Sequence, residues 1–133
     1  MRPPEIERFF AVGAFAVVGA SDDRNKYGNK VLRCYQQHGM PVVGVHPKRT
    51  EVEGAPCYAK LTAVPGTPRA VSIVAPPGAA PAIVADAIAA GCKHLWFQPG
   101  AEQAAAIATA RAAGLEVIAD GPCVLVALGF RDV

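Results

Sequence analysis

Five short apolar runs, at residues 15–19, 42–45, 71–75, 94–97 and 116–119, each end in Gly, Pro or a polar cluster. Near-continuous apolar runs of this length predict strands buried on both faces. Between them the period changes. Residues 27–38, 79–90 and 101–113 read as helices, each closed by a glycine (Gly39, Gly91, Gly114) where a left-handed cap is needed. In the second helix Pro81 falls in the first turn, where proline does least harm, and Ile83, Val84, Ala87 and Ile88 recur at three and four positions to form one apolar face. The stretch 47–68 interrupts the alternation with Gly54, Pro56, Pro65, Gly66 and Pro68, and predicts at most a turn of helix near 58–63.

Strand and helix alternating at this spacing require right-handed crossovers into a parallel sheet with helices on both faces. The expectation is a doubly wound α/β fold of five strands in the order 3-2-1-4-5. Ligands of such sheets sit beyond the carboxyl ends of the strands, where the winding reverses, here between strands one and four. That rule selects Gly19-Ala20-Ser21, His46-Pro47-Lys48-Arg49, Ala75-Pro76-Pro77, Gln98-Pro99-Gly100 and Asp120-Gly121-Pro122-Cys123.

Composition narrows the classes. The chain has 133 residues, 52% hydrophobic, 18% charged and 7% aromatic, which excludes disorder and implies a core of small aliphatic side chains. The length suits one domain, 1–133, with no room for a separate catalytic domain. Thirteen Lys and Arg against eleven Asp and Glu leave a net charge of +2, too little to hold a nucleic-acid backbone across a whole face, so an anion site must be local. Cys34, Cys57, Cys92 and Cys123 form no C-x-x-C pair and have no His at ligand spacing, so no metal site is expected and reduced thiols in the cytoplasm are. The apolar run 9–20 follows Arg8 like a secretory leader, but Glu5 and Glu7 cancel the positive bias and the run is too short to span a bilayer. It reads better as the end of a short leading helix followed by a buried strand.

The strand ends then offer chemistry. The loop from Gly19 to Gly28 leads from the first strand into a helix, and its backbone N–H groups suit a phosphate, with Lys26 or Arg24 adding charge and Tyr27 opening the helix. The helix terminus itself contributes about 0.3–1 kcal/mol. The spacing departs from G-x-G-x-x-G, and a plain strand-to-helix turn explains it equally well. At the second strand end NAD enzymes carry Asp or Glu; here His46 stands, followed by Pro47, Lys48 and Arg49, which suits a phosphorylated ribose as in coenzyme A or NADP, or else a solvated basic turn. Ala75, Pro76 and Pro77 offer a stiff apolar surface for an adenine or an acyl-carrying arm, or simply end a strand. Gln98 can donate and accept, Trp96 and Phe97 beside it read as core, and Cys123 reads as an inert thiol before a reactive one. No carboxylate pair, Ser-His-Asp arrangement or activated lysine stands out.

Taken together, 15–21 (FAVVGAS), 28–32 (GNKVL), 43–47 (VGVHP), 51–54 (EVEG), 58–61 (YAKL), 74–77 (VAPP), 87–91 (AIAAG), 96–100 (WFQPG) and 120–123 (DGPC) resemble the CoA-binding domain family, over roughly positions 14 to 123. That family holds small stand-alone CoA-binding proteins and the first domain of succinyl-CoA synthetase α subunits and ADP-forming acyl-CoA synthetases. The resemblance implies a Rossmann-like sheet with CoA over the strand ends. It implies phosphate contacts from Gly19, Ala20 and Ser21, a charge contact from Lys48 or Arg49, and contacts along the nucleotide or pantetheine arm from Ala75, Pro76 and Pro77.

The leading expectation is therefore a cytoplasmic protein that binds CoA or an acyl-CoA without catalysing a reaction itself, with Gly19, Ala20, Ser21, Lys26, Tyr27, Gly28, His46, Pro47, Lys48, Arg49, Ala75, Pro76, Pro77 and Gln98 at its site. An NADP-linked oxidoreductase or redox protein using Cys123 is one alternative. A CoA-binding subunit of a separately encoded synthetase is another. The partner is a small nucleotide, neither nucleic acid nor membrane, with a homo-oligomer or a synthetase subunit as the macromolecular options. Replacing Gly19 with a bulky β-branched residue is expected to abolish binding in a protein that still folds.

Overall fold

The strand β1 (Phe15–Val18) is buried along its whole length because it lies at the centre of a sheet covered on both sides. The computed structural model describes residues 2–132. In chain order they form α1 (Pro4–Ala11), β1, α2 (Tyr27–Gln37), β2 (Val42–Val45), β3 (Glu51–Val52), β4 (Ala55–Tyr58), β5 (Ala70–Ile73), α3 (Ala80–Ala89), β6 (His94–Phe97), α4 (Ala104–Ala112), β7 (Glu116–Ile118) and α5 (Val124–Leu128). Short 3₁₀ turns occupy Leu61–Ala63 and Pro77–Ala79.

Alternate side chains of β1 enter two separate cores, as the pleat requires. Ala16 and Val18 join Val84 and Ala87 of α3 and Ala106 and Ile107 of α4 on one face. Phe15 and Val17 join Ile6 and Phe9 of α1, Val31, Leu32 and Tyr35 of α2 and Val124 of α5 on the other. The sheet is thus wound on both faces, as expected for a Rossmann-like α/β fold. On the second face Phe9 meets Trp96 edge-on at 5.2 Å, and Phe15 stacks on Tyr35 at 4.7 Å. Fully burying each such ring contributes on the order of 2–3 kcal/mol. Trp96 and Phe97 are core residues, 0% and 1% exposed, and the Trp96 indole N–H donates to the Pro122 carbonyl at 2.9 Å.

Two corrections concern the sheet. It has seven strands rather than five, in the order β3-β4-β2-β1-β5-β6-β7. The five strands read from the sequence therefore lie 2-1-3-4-5, not 3-2-1-4-5, and the third of them (β5) is the direct neighbour of the first. The place expected for it, beyond β2, is taken by β4, which pairs with β2 in parallel through Gly44↔Cys57 and Val45↔Tyr58. The two-residue β3 is antiparallel to β4 and closes that edge. The winding reverses between β1 and β5, so the carboxyl ends of β1, β2 and β5 frame the crevice. Helix boundaries fall inside those expected: Gln103 caps α4, its side chain accepting from the Ala106 N–H at 2.6 Å, so 101–103 remain outside the helix.

Among the described residues no helix is long and apolar enough to cross a membrane. Cys34, Cys57 and Cys92 are buried, Cys123 is half-buried, and all are free thiols.

Candidate functional site

At the reversal point the backbones of β1, β5 and α2 approach closely enough to exclude side chains. Gly19 has φ +96, and a Cβ there would lie 1.7 Å from the Val74 oxygen; a Cβ on Gly28 would lie 1.9 Å from the Gly19 oxygen. The Gly19 N–H continues the ladder to the Val45 oxygen at 3.0 Å, and the Val74 N–H reaches Val18 at 2.8 Å, so the strand ends are fixed where the crevice opens. Over them lies a cavity of about 570 Å³ lined by Gly19, Ala20, Ser21, Lys26, Tyr27, Gly28, His46, Val74, Ala75, Pro76 and Pro99–Ala101. A second hollow of about 440 Å³ adjoins it, lined by Val18, Gly19, Val45, His46, Pro47, Ala59, Lys60, Ala75, Ala79, Ala82, Ile83 and Asp86. Gly19, His46 and Ala75 belong to both.

Nine of the fourteen residues named from the sequence thus share the first cavity, and Pro47 lines the second with His46. The other four sit elsewhere. Gln98 is 0% exposed and turned inward, its Oε1 accepting the Val124 N–H at 2.9 Å, so it anchors α5 instead of facing the crevice. Arg49 is ion-paired with Asp22, which neutralises the cation that the basic turn had offered. Lys48 is exposed and lines neither hollow, and Pro77 begins the 3₁₀ turn before α3.

The polar groups of the crevice are few. The Nδ1 of His46 accepts the Lys48 backbone N–H at 3.1 Å, so a neutral imidazole carries its proton on Nε2. Burial, and after it the hydrogen bond to Cys123, push the Tyr27 hydroxyl well above the ordinary tyrosine range, which keeps it a neutral donor. Lys26, the residue before α2, is the lysine of the first cavity. The loop between is folded on itself: Ser21 Oγ accepts the Asp23 N–H at 3.1 Å, and Asp23 Oδ1 accepts the Asn25 N–H at 2.9 Å.

Sequence reasoning missed the second hollow except at Gly19, His46, Pro47 and Ala75. One signal was available. Asp86 is the lone charged residue of α3, and its carboxylate accepts the Leu61 N–H at 2.6 Å and the Thr62 N–H at 3.3 Å, tying α3 to the 3₁₀ turn that follows Ala59 and Lys60 of the hollow's wall.

Residues 13–129 match the family described as CoA binding domain. Over 53 residues, 40% of this chain, the sequence is 38% identical to acetate–CoA ligase [ADP-forming] I of Archaeoglobus fulgidus, a match spanning 8% of that relative. A conserved hypothetical protein from Pyrococcus furiosus superposes with a TM-score of 0.80 at 36% identity, covering 86% of this chain and 97% of that one. The dinucleotide forming acetyl-coenzyme A synthetase 1 of Ca. Korarchaeum cryptofilum, solved with phosphate and ADP, superposes with a TM-score of 0.77 at 29% identity, covering 86% of this chain and 27% of that one.

Proposed function

We propose, for a chain that belongs to the CoA binding domain family, that it binds coenzyme A or an acyl-CoA in the crevice over β1, β2 and β5, and that it holds this ligand without itself transforming it. The observation that carries the reading is the pair of hollows meeting at Gly19, His46 and Ala75. A ligand with a base at one end, a diphosphate in the middle and a long amide arm at the other needs two compartments joined at a phosphate seat. Gly19, Ala20 and Ser21 supply the seat and Lys26 its charge. The apolar hollow of Val45, Pro47, Ala82 and Ile83 suits the adenine, and the cavity along Ala75, Pro76 and Gly100 suits the arm. His46 presents Nε2–H at the junction, where an acidic residue would serve an unphosphorylated ribose.

The NADP alternative rested on the basic pair after β2, and Arg49 is engaged by Asp22. Parallel calorimetric titrations with CoA and NADP separate the two ligands. One saturable site for CoA and markedly weaker heat with NADP are expected; heat with NADP and none with CoA would overturn the assignment.

A second reading gives the chain a place beside a separately encoded synthetase subunit. It is favoured by the Ca. Korarchaeum synthetase, of which the matched region forms only 27%. Native copurification tests it: a stoichiometric second polypeptide supports it, and recovery of the chain alone or as a homo-oligomer counts against it.

A further inference from the structure

The turn joining β3 to β4 is made by Glu53 and Gly54, with φ of +50 and +79. Positive φ at both central positions is the type I′ hairpin, in which Asn or Asp ordinarily precedes Gly because a short polar side chain tolerates the left-handed region. Glutamate has no such advantage, so its backbone is held against local preference. A residue strained in this way points to a role for its side chain.

That side chain reaches across to the phosphate loop. Glu53 Oε1 accepts from Arg24 Nη1 at 2.8 Å, and Oε2 accepts from Asn29 Nδ2 at 2.9 Å. Asn29 is fully buried, and the same Nδ2 donates to the Ser21 carbonyl at 2.8 Å. Its Oδ1 accepts from Arg33 Nε at 2.6 Å, and Arg33 Nη2 donates to the Arg24 carbonyl at 3.2 Å. The backbone of the loop is therefore gripped at residues 21 and 24, in addition to its own turn bonds. Because a trans peptide points its C=O and the following N–H in opposite directions, fixing the Ser21 carbonyl on Asn29 turns the Asp22 N–H away from Asn29.

We propose that Glu53, acting through Asn29, is a positioning residue that sets the 21–24 backbone in its ligand-receiving shape before any ligand arrives. The hairpin at one edge of the sheet then serves as a brace for the phosphate seat, and its strained turn is retained for affinity at some expense in local stability. This inference rests on the CoA-binding reading for its consequence in affinity, though not for its consequence in the free protein.

Glu53→Asn tests it, since asparagine is the better turn residue and too short to span to Asn29. The thermal midpoint is expected to stay level or rise, while affinity for CoA and for ADP falls on the order of tenfold and affinity for adenosine stays level. Amide hydrogen exchange at residues 21–26 of the unliganded variant is expected to quicken. Glu53→Gln keeps a carbonyl oxygen for Asn29 and is expected to restore most of the protection. Unchanged exchange at residues 21–26 in Glu53→Asn, or an equal loss of adenosine affinity, overturns the inference. If the unaltered protein binds no CoA while the variant's loop still exchanges faster, the ligand assignment fails and the positioning role stands.

Discussion

Gly28, the second residue of α2, lies directly against the carbonyl of Gly19, with a notional Cβ only 1.9 Å from that oxygen. In an ordinary helix alanine is favoured over glycine by about 1 kcal/mol. Here the sign reverses: Gly28→Ala is expected to destabilise the protein by roughly 3 kcal/mol, because backbone and not a flexible side chain must yield. Urea unfolding of the variant against the unaltered protein measures it.

The same reasoning revises the expectation for Gly19. With φ +96 and the Val74 oxygen 1.7 Å from any Cβ, Gly19→Val is expected to unfold the molecule and not merely to empty its site. Far-ultraviolet circular dichroism of the variant decides between the two outcomes. A folded Gly19→Val protein would mean that β1 and β5 can separate at their ends.

Charge at the phosphate seat is predicted to come from Lys26 and not from Arg49, whose guanidinium is paired with Asp22. Lys26→Gln should weaken CoA on the order of tenfold and flatten the salt dependence of binding. Arg49→Gln should change affinity by no more than about threefold, the range of a screened surface charge. Calorimetric titrations at two salt concentrations compare them.

Tyr35 and Ser72 are both fully buried and share a hydroxyl–hydroxyl bond of 2.7 Å across α2 and β5. Tyr35→Phe leaves the serine hydroxyl unpaired and should cost about 1–3 kcal/mol. Adding Ser72→Ala should recover a large part of that loss, giving a coupling of about 1 kcal/mol or more in a double-mutant cycle of unfolding free energies.

Alkaline pH should weaken the fold at a defined point. Burial, with Cys123 nearby adding to it, pushes the Cys34 thiol from 9.0 up to about 11. The unfolded chain therefore releases this proton first, so stability is complete below pH 9.0 and is lost as the pH climbs through about 11. Tyr27 and Tyr35 are raised above their ordinary 10.0 chiefly by burial and add to the decline at higher pH. In Cys34→Ala the decline between pH 9.0 and about 11 should be shallower but not absent, because burial also raises the Cys57 and Cys92 thiols from 9.0; urea midpoints across the alkaline range read the difference.

What the sequence revealed follows from what each element needs. The central strands are buried on both faces, so unbroken apolar runs such as 15–18 announce them. The strand β4 hid because it alternates, with Ala55 and Cys57 buried and Pro56 exposed, and because a proline inside four residues ordinarily argues against a strand. Pro56 is tolerated because the pairing of β4 with β2 begins only at the next residue, Cys57. Missing β4 displaced β5 in the expected order, although the rule about strand ends still selected Gly19, His46 and Ala75. The inward turn of Gln98 and the pairing of Arg49 are illegible in the sequence for another reason: their partners, Val124 and Asp22, lie 26 and 27 positions away, and no local pattern reports such contacts.

Occupancy of the crevice over β1, β2 and β5 by CoA is read by titrating isotope-labelled protein with CoA and following its amide chemical shifts. Saturable shifts at Gly19, Ala20, Ser21, Gly28, Ala75 and Gly100 are predicted, with α4 and β7 little changed. No shifts up to millimolar CoA, or shifts confined to residues outside the two hollows, would contradict the account.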